Sequence, residues 1–311
     1  MAHPRKFRFG VQLHNAADRK AWVESVRKVE DLGYSSVFLP DHFGEQLSPV
    51  IALASAAELT NLRLGTLVLD NDYKHPVVLA KEAATIDLIS EGRLELGIGA
   101  GWMRSDYEQS GIPYDDPGVR IDRFAEGVAI LKGLFADGPF SFKGQHYTID
   151  GLDGRPKPVQ KPHPPFIIGG GGRRVLRVAG AEADIVGINF NLAIGEVRPE
   201  LGPNGTAEQT ARKVEWVKEG AGERFDDIEL NVLLFMAVVT DDRKGQAEML
   251  GPAFNLTAEQ ALEVPHALVG TIDQVCEDIE KRRELYGLSY ITVGEGSAED
   301  LAPVVERLSG R

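Results

Sequence analysis

Three short stretches hold the residue types that chemistry needs. Asp41-His42 sets a carboxylate beside an imidazole. A histidine takes or gives a proton near neutral pH, and the carboxylate can orient it or bind a ligand hydroxyl. The same pair is equally compatible with a capping aspartate and a packed histidine. Gly169 to Gly172 is a run of four glycines followed by Arg173-Arg174. At a helix start such a run presents free N–H groups, and the helix dipole and an arginine favour a phosphate there. The plainer alternative is a flexible turn with solvated arginines. Gly99-Ala100-Gly101-Trp102 lets a ligand approach the backbone. Trp102 offers a flat face to a planar aromatic ligand, or is core. Other chemistries lack their residues. The seven histidines are scattered, with no HExxH and no cysteine cluster, so no metal is expected. There is no GxSxG, no GxxxxGK[ST] and no full GxGxxG. Cys276 falls in a predicted helix far from any strand end and reads as a structural thiol.

The elements that must position these residues alternate. The central stretch reads as strand (Arg63 to Leu69), helix (Pro76 to Ile89) and strand (Leu94 to Ile98), one βαβ unit. Before it, Phe7 to Leu13 and Ser36 to Pro40 are strands, each followed by a helix. After it, Met103 to Gly118 is polar and aperiodic and is expected to be a loop. A helix over Arg120 to Phe135 and a small hairpin over Phe140 to Ile149 follow. Strands are predicted at Pro165 to Ile168, Asp184 to Ile188, Ile228 to Val239 and Tyr290 to Val293, with helices between and after them. Eight strands with eight helices, apolar on both strand faces, predict an α/β fold, a (β/α)8 TIM barrel. A doubly wound open sheet is the competitor; the unbroken alternation favours the barrel. The expectation is one barrel domain over residues 1–311 with insertions near 102–118, 139–164, 189–206 and 240–267. In such a barrel the active face lies at the strand C-termini. The candidates are then Gln12 and His14, Asp41 and His42, Leu67 to Asp70, Gly99, Gly101 and Trp102, Gly169 to Arg174, and Asn189.

Composition narrows the partners. The 311 residues are 43% hydrophobic with a formal net charge of −13, spread along the chain. That disfavours nucleic acid and anionic membranes, which need basic patches. No apolar run approaches the ~20 residues of a membrane span. With one cysteine and a polar, basic Met1 to Arg8, a reducing cytoplasmic setting without a secretion signal is expected.

Taken together, FGVQL, SVFLPDHF, RLGTLVL, VLAKEAATIDLISEGRLELGIGAGW, PPFIIGGGG and the later LVGTIDQV resemble the luciferase-like monooxygenase superfamily. Within it the chain is most similar to the F420-dependent oxidoreductases. The resemblance implies a bacterial luciferase-like barrel, usually a homodimer, with a deazaflavin across the barrel mouth. It implies a non-proline cis peptide at Leu67–Val68, forming a bulge behind the ring. Asp41 and His42 fall on the family's strand-two pair, where the histidine is a proposed acid or base. Gly99, Gly101 and Trp102 fall near the ring and tail. Gly170, Gly171 and Gly172, with Arg173, fall on the phosphate-binding turn, and Gln12, Leu67 and Val68 join the cofactor set. The implied reaction is hydride transfer between deazaflavin C5 and a small organic substrate. The alternatives are an FMN-dependent monooxygenase fed by a flavin reductase and a non-catalytic cofactor-binding barrel. One departure counts against glucose-6-phosphate: sugar-phosphate dehydrogenases of this group place a Glu after the strand-four glycines, and here Trp102 stands there.

Overall fold

Eight parallel strands close on themselves. In the computed structural model, which describes residues 5–311, they are β1 (Arg8–Gln12), β2 (Ser36–Leu39), β3 (Arg63–Thr66), β4 (Leu94–Gly99), β5 (Phe166–Gly170), β6 (Ile185–Ile188), β7 (Glu229–Leu234) and β8 (Leu288–Gly294). Each pairs in parallel with its successor, and β8 returns to β1, so the barrel has no free edge. Outside run α1 (Arg19–Asp31), α2 (Pro49–Ala57), α3 (Pro76–Ile89), α4 (Pro117–Phe135), α5 (Arg173–Glu182), α6 (Ala207–Ala221), α7 (Ile272–Tyr286) and α8 (Ala298–Leu308). The (β/α)8 barrel expected from the alternation is the fold observed. Among the described residues no helix is long and apolar enough to cross a membrane. The reading of Met1 to Arg8 falls partly on residues 1–4, outside the described residues.

The helices begin where the sequence supplies caps. Asp18 accepts from the Ala21 N–H at 2.8 Å ahead of α1. Prolines occupy the first turns of α2, α3 and α4. Thr271 and Gln274 form a reciprocal capping box on α7, and Gly287 ends it at φ 80°. Inside the barrel, Phe38, Ile167, Ile185 and Tyr290 pack together, with Leu67 and Val68 against them. The N-terminal end of the barrel is closed by charge. Glu95 accepts from Arg8 at 2.8 Å, Arg63 at 2.5 Å and the Tyr290 hydroxyl at 2.9 Å, and Arg8 also reaches Glu229.

Three expectations need correction. The strand predicted over Arg63 to Leu69 is broken. β3 ends at Thr66, the Leu67–Val68 peptide is cis, and pairing resumes at Leu69–Asp70. The strand predicted over Ile228 to Val239 is two. β7 ends at Leu234, where the Phe235 N–H turns to the His266 carbonyl; Met236–Val239 then pairs with Ala267–Gly270, a strand missed in the sequence. The Met103 to Gly118 loop holds a helix, Arg104–Ser110. It buries only Asp106 and Tyr107, so it has no apolar stripe to betray it.

Candidate functional site

The strand C-termini surround a cavity of about 370 Å³. The structure brings to it Asp41, His42, Leu67, Val68, Gly99, Gly101 and Trp102 from one side, and Gly170, Gly171, Gly172 and Arg173 from the other. Two anticipated residues are not in its lining. Gln12 is buried and spends its amide on the Leu67 carbonyl at 2.9 Å, holding the bulge from behind. His14 lies half-buried outside the lining, and burial lowers its pKa.

The acid-rich side is a network of aspartates and tyrosines. Asp41 does not orient His42, the role its neighbouring position suggests; its carboxylate accepts from the Asp70 N–H at 3.2 Å. The partner of His42 is Asp106, whose Oδ2 lies 2.6 Å from His42 Nδ1 and also accepts from the Tyr73 hydroxyl at 3.0 Å. With Asp106 accepting, Nδ1 carries the hydrogen and Nε2 is left as the exchangeable atom. The imidazole stands edge-on to Trp102, ring centroids 5.5 Å apart. Asp70 accepts from the Asp72 N–H and the Tyr107 hydroxyl, both at 2.9 Å. Burial nevertheless pushes its carboxyl up to about 7, with the charge of Asp72 adding to the rise. Burial also raises the Asp41 carboxyl, against the pull of the Asp70 N–H and Lys74. Gly101 is required here. Its φ is +72°, and a Cβ would overlap the Tyr107 hydroxyl.

The opposite side carries the anion-binding features. Gly172 caps α5, and a Cβ at Gly171 would overlap the Phe190 backbone, so that position admits no side chain. Arg173 and Arg174 reach the rim but are engaged: Arg173 donates to Glu219 at 2.9 Å and Arg174 to Asp122, all four exposed. A cation that has no carboxylate partner among the described residues is one the sequence did not single out. Arg120, in the first turns of α4, lines the cavity and is 2% exposed. Its guanidinium lies 4.3 Å from the Tyr114 ring centroid. It bonds the Tyr107 side chain, but its Nε and Nη1 lack hydrogen-bond partners, and among the described residues no carboxylate is within ion-pair range. A buried cation without a counter-charge is costly, so the arrangement fits an anionic ligand group.

Comparison with known proteins agrees with the architecture. A family profile described as luciferase-like monooxygenase matches residues 5–260. An FMNH(2)-dependent dimethylsulfone monooxygenase of Pseudomonas putida is 27% identical over 202 residues, 63% of this chain and 54% of that protein, so the chain spans about half the length of that relative. An F420-dependent glucose-6-phosphate dehydrogenase of Amycolatopsis mediterranei is 26% identical over 258 residues, 79% of this chain and 73% of its own. The solved coenzyme F420 dependent tetrahydromethanopterin reductase of Methanopyrus kandleri has the same fold, with TM-score 0.77 over 98% of this chain and 100% of that one at 19% identity.

Proposed function

The chain belongs to the luciferase-like monooxygenase family, and on that footing we propose that it is an F420-dependent oxidoreductase acting on a small organic substrate. The observation that carries the reading is the pairing, in one cavity, of a histidine held by Asp106 at 2.6 Å with a buried arginine that has no counter-charge. The first can move a proton; the second calls for a phosphate-bearing ligand. The longer match to an F420-dependent relative, 79% of the chain against 63% for the FMNH(2)-dependent one, supports the deazaflavin.

In this reading Arg120, the Gly171-Gly172 turn and the first N–H groups of α5 hold the phosphate. Leu67, Val68, Gly99 and Trp102 hold the ring. Bound deazaflavin supplies or accepts a hydride at C5. His42 gives or takes the accompanying proton at Nε2, while Asp106 and Tyr73 fix its orientation. Reduction of a C=C or C=N bond, or oxidation of an alcohol, fits one hydride and one proton. The enzyme works as a homodimer in the cytoplasm, without nucleic acid or membrane. An FMN-dependent monooxygenase, fed by a separate reductase, is the second reading, favoured by the dimethylsulfone monooxygenase relative.

Tryptophan-fluorescence titration tests this, because Trp102 lines the cavity. F420 should quench with micromolar or tighter affinity and FMN should not. Preference for FMN would move the assignment to the monooxygenase, and binding of neither would remove both.

A further inference from the structure

A second cavity, of about 240 Å³, opens beside the first. Phe190 and Leu192 line both. Its other walls come from the segments inserted after β6 and β7. They include Leu201 from the turn 199–205, Leu250 and Phe254 from the region of helix Arg243–Ala253, Val264, and Phe235 at the point where β7 breaks off. Val197, Phe235 and Phe254, 63%, 52% and 39% exposed, form an apolar rim.

Two polar side chains interrupt this apolar lining: Arg198, exposed and paired with Glu196, and His266, which is buried. His266 is 2% exposed and packs against two rings, with centroids 4.5 Å from Phe190 and 5.6 Å from Phe235. Its Nδ1 lies 3.0 Å from the Leu233 carbonyl. A carbonyl only accepts, so Nδ1 carries the hydrogen. Burial, aided by the charges of Lys213 and Arg282, holds the imidazole neutral, its pKa down at about 3. Nε2 is therefore a bare acceptor, and it has no partner. The cations nearby are already engaged. Lys213 donates to the Asn189 and Asn204 carbonyls, Arg282 to those of Leu262, Pro265 and Ala267, and Arg198 pairs with Glu196. Among the described residues the buried part of the pocket has no unengaged cation for an anionic ligand; Arg198 is exposed and paired with Glu196. What is missing is one hydrogen-bond donor in an apolar surround.

We propose that this cavity is the substrate pocket, and that it takes a neutral, mainly apolar molecule whose hydroxyl or N–H donates to His266 Nε2. The reacting end of that molecule passes Phe190 and Leu192 into the first cavity, toward His42. This rests on the redox reading of the first cavity and adds the substrate class to it. The break in β7 serves the pocket: it takes Phe235 out of the barrel wall and sets it beside His266.

Calorimetric titration of the protein without cofactor tests the pocket separately from the reaction. The probes are 1-naphthol, 1-methoxynaphthalene, which lacks the donor, and 1-naphthoate, which carries a charge. The unaltered protein should bind naphthol about tenfold or more tighter than the methoxy compound, because the methoxy compound leaves a buried acceptor unpaired. Naphthoate should bind weakest. His266→Phe keeps the ring packing and removes the acceptor, so the two neutral probes should become equal. Leu250→Trp fills the cavity and should abolish naphthol binding while leaving F420 affinity within a few-fold; it also serves if the His266 variant does not fold. Equal binding of the two neutral probes, a preference that survives His266→Phe, or naphthol binding that survives Leu250→Trp overturns the proposal. Loss of F420 binding with the probe preference intact instead removes the reaction and leaves the pocket.

Discussion

The two ends of the barrel both bury charge, and they treat it in opposite ways. At the N-terminal end every charge answers another. Burial alone would raise the Glu95 carboxyl, but Arg8 and Arg63 hold it below the ordinary carboxylate range. Arg8 is shared between Glu95 and Glu229, and the Tyr290 hydroxyl completes the set. At the C-terminal end the balance is unfinished. Asp70 is buried among like charges with its carboxyl pushed up to about 7, and Arg120 is buried with two orphan nitrogens. Closed networks are costly to break one partner at a time; open ones wait for a ligand. The contrast separates charge that holds the fold from charge that serves the site, without appeal to any relative.

The largest effect should come from breaking the closed end. Glu95→Ala leaves Arg63 unpaired and strips a partner from Arg8 and Tyr290, so unfolding by urea should show a loss of ~3–5 kcal/mol. The affinity for cofactor of the protein that remains folded should change little. A small stability loss would mean the network is not what closes the barrel. At the open end, His42→Ala should slow turnover by about 10²–10⁴-fold with cofactor affinity changed only a few-fold. Asp106→Asn should cost less and displace the pH–rate profile, because Asp106 acts through His42 rather than on the substrate. An unaltered rate in His42→Ala would remove the proton-transfer role.

Arg120→Met probes the same contrast with the opposite sign. Removing a buried, unanswered cation should leave the cofactor-free protein as stable or more so, where Glu95→Ala weakens it. Cofactor affinity should nonetheless fall about 10- to 100-fold, the cost of a charge-assisted contact. Thermal melts with and without cofactor read both quantities. A variant destabilised without cofactor but unchanged in affinity would make Arg120 part of the fold, like Arg8.

What was legible in the sequence follows the same division. The barrel was legible because short apolar runs and amphipathic helices repeat, and the strand ends then pointed to Asp41, His42, Gly101 and Trp102. The partners of those residues were not. Asp106 lies on a helix of about two turns without an apolar stripe, so that segment looked like loop. Arg120 sits in the first turns of α4, where an arginine ordinarily faces solvent, and only the packing of Tyr107 and Tyr114 reveals its burial. Gln12 was identified by its strand end, but which way its amide turns depends on the bulge at Leu67. His266 gave no signal, because its significance depends on Phe235 leaving the barrel, and the apolar run over Ile228 to Val239 hides that break.

The smallest effect, and the finest test of the open end, is a slope. The Asp70 carboxyl titrates at about 7 in the folded protein, raised first by burial, against ~3.9 in an unfolded chain. A raised acid binds its proton more tightly folded than unfolded, so its contribution to stability is complete below about pH 4. It is then lost as pH rises through about 7. Asp70→Asn keeps an acceptor for the Asp72 N–H and cannot ionise. The difference in melting temperature between the two proteins should therefore drift in favour of the variant from pH 5 to pH 8 and then level off. The same comparison made with Glu95→Gln should show the reverse drift under acid, because Glu95 is held below its ordinary range. Its stabilisation is present at neutral pH and disappears as pH falls through its folded pKa. A flat difference for Asp70→Asn would mean that its carboxyl is already answered in the free protein, and the open end would then be narrowed to Arg120 alone.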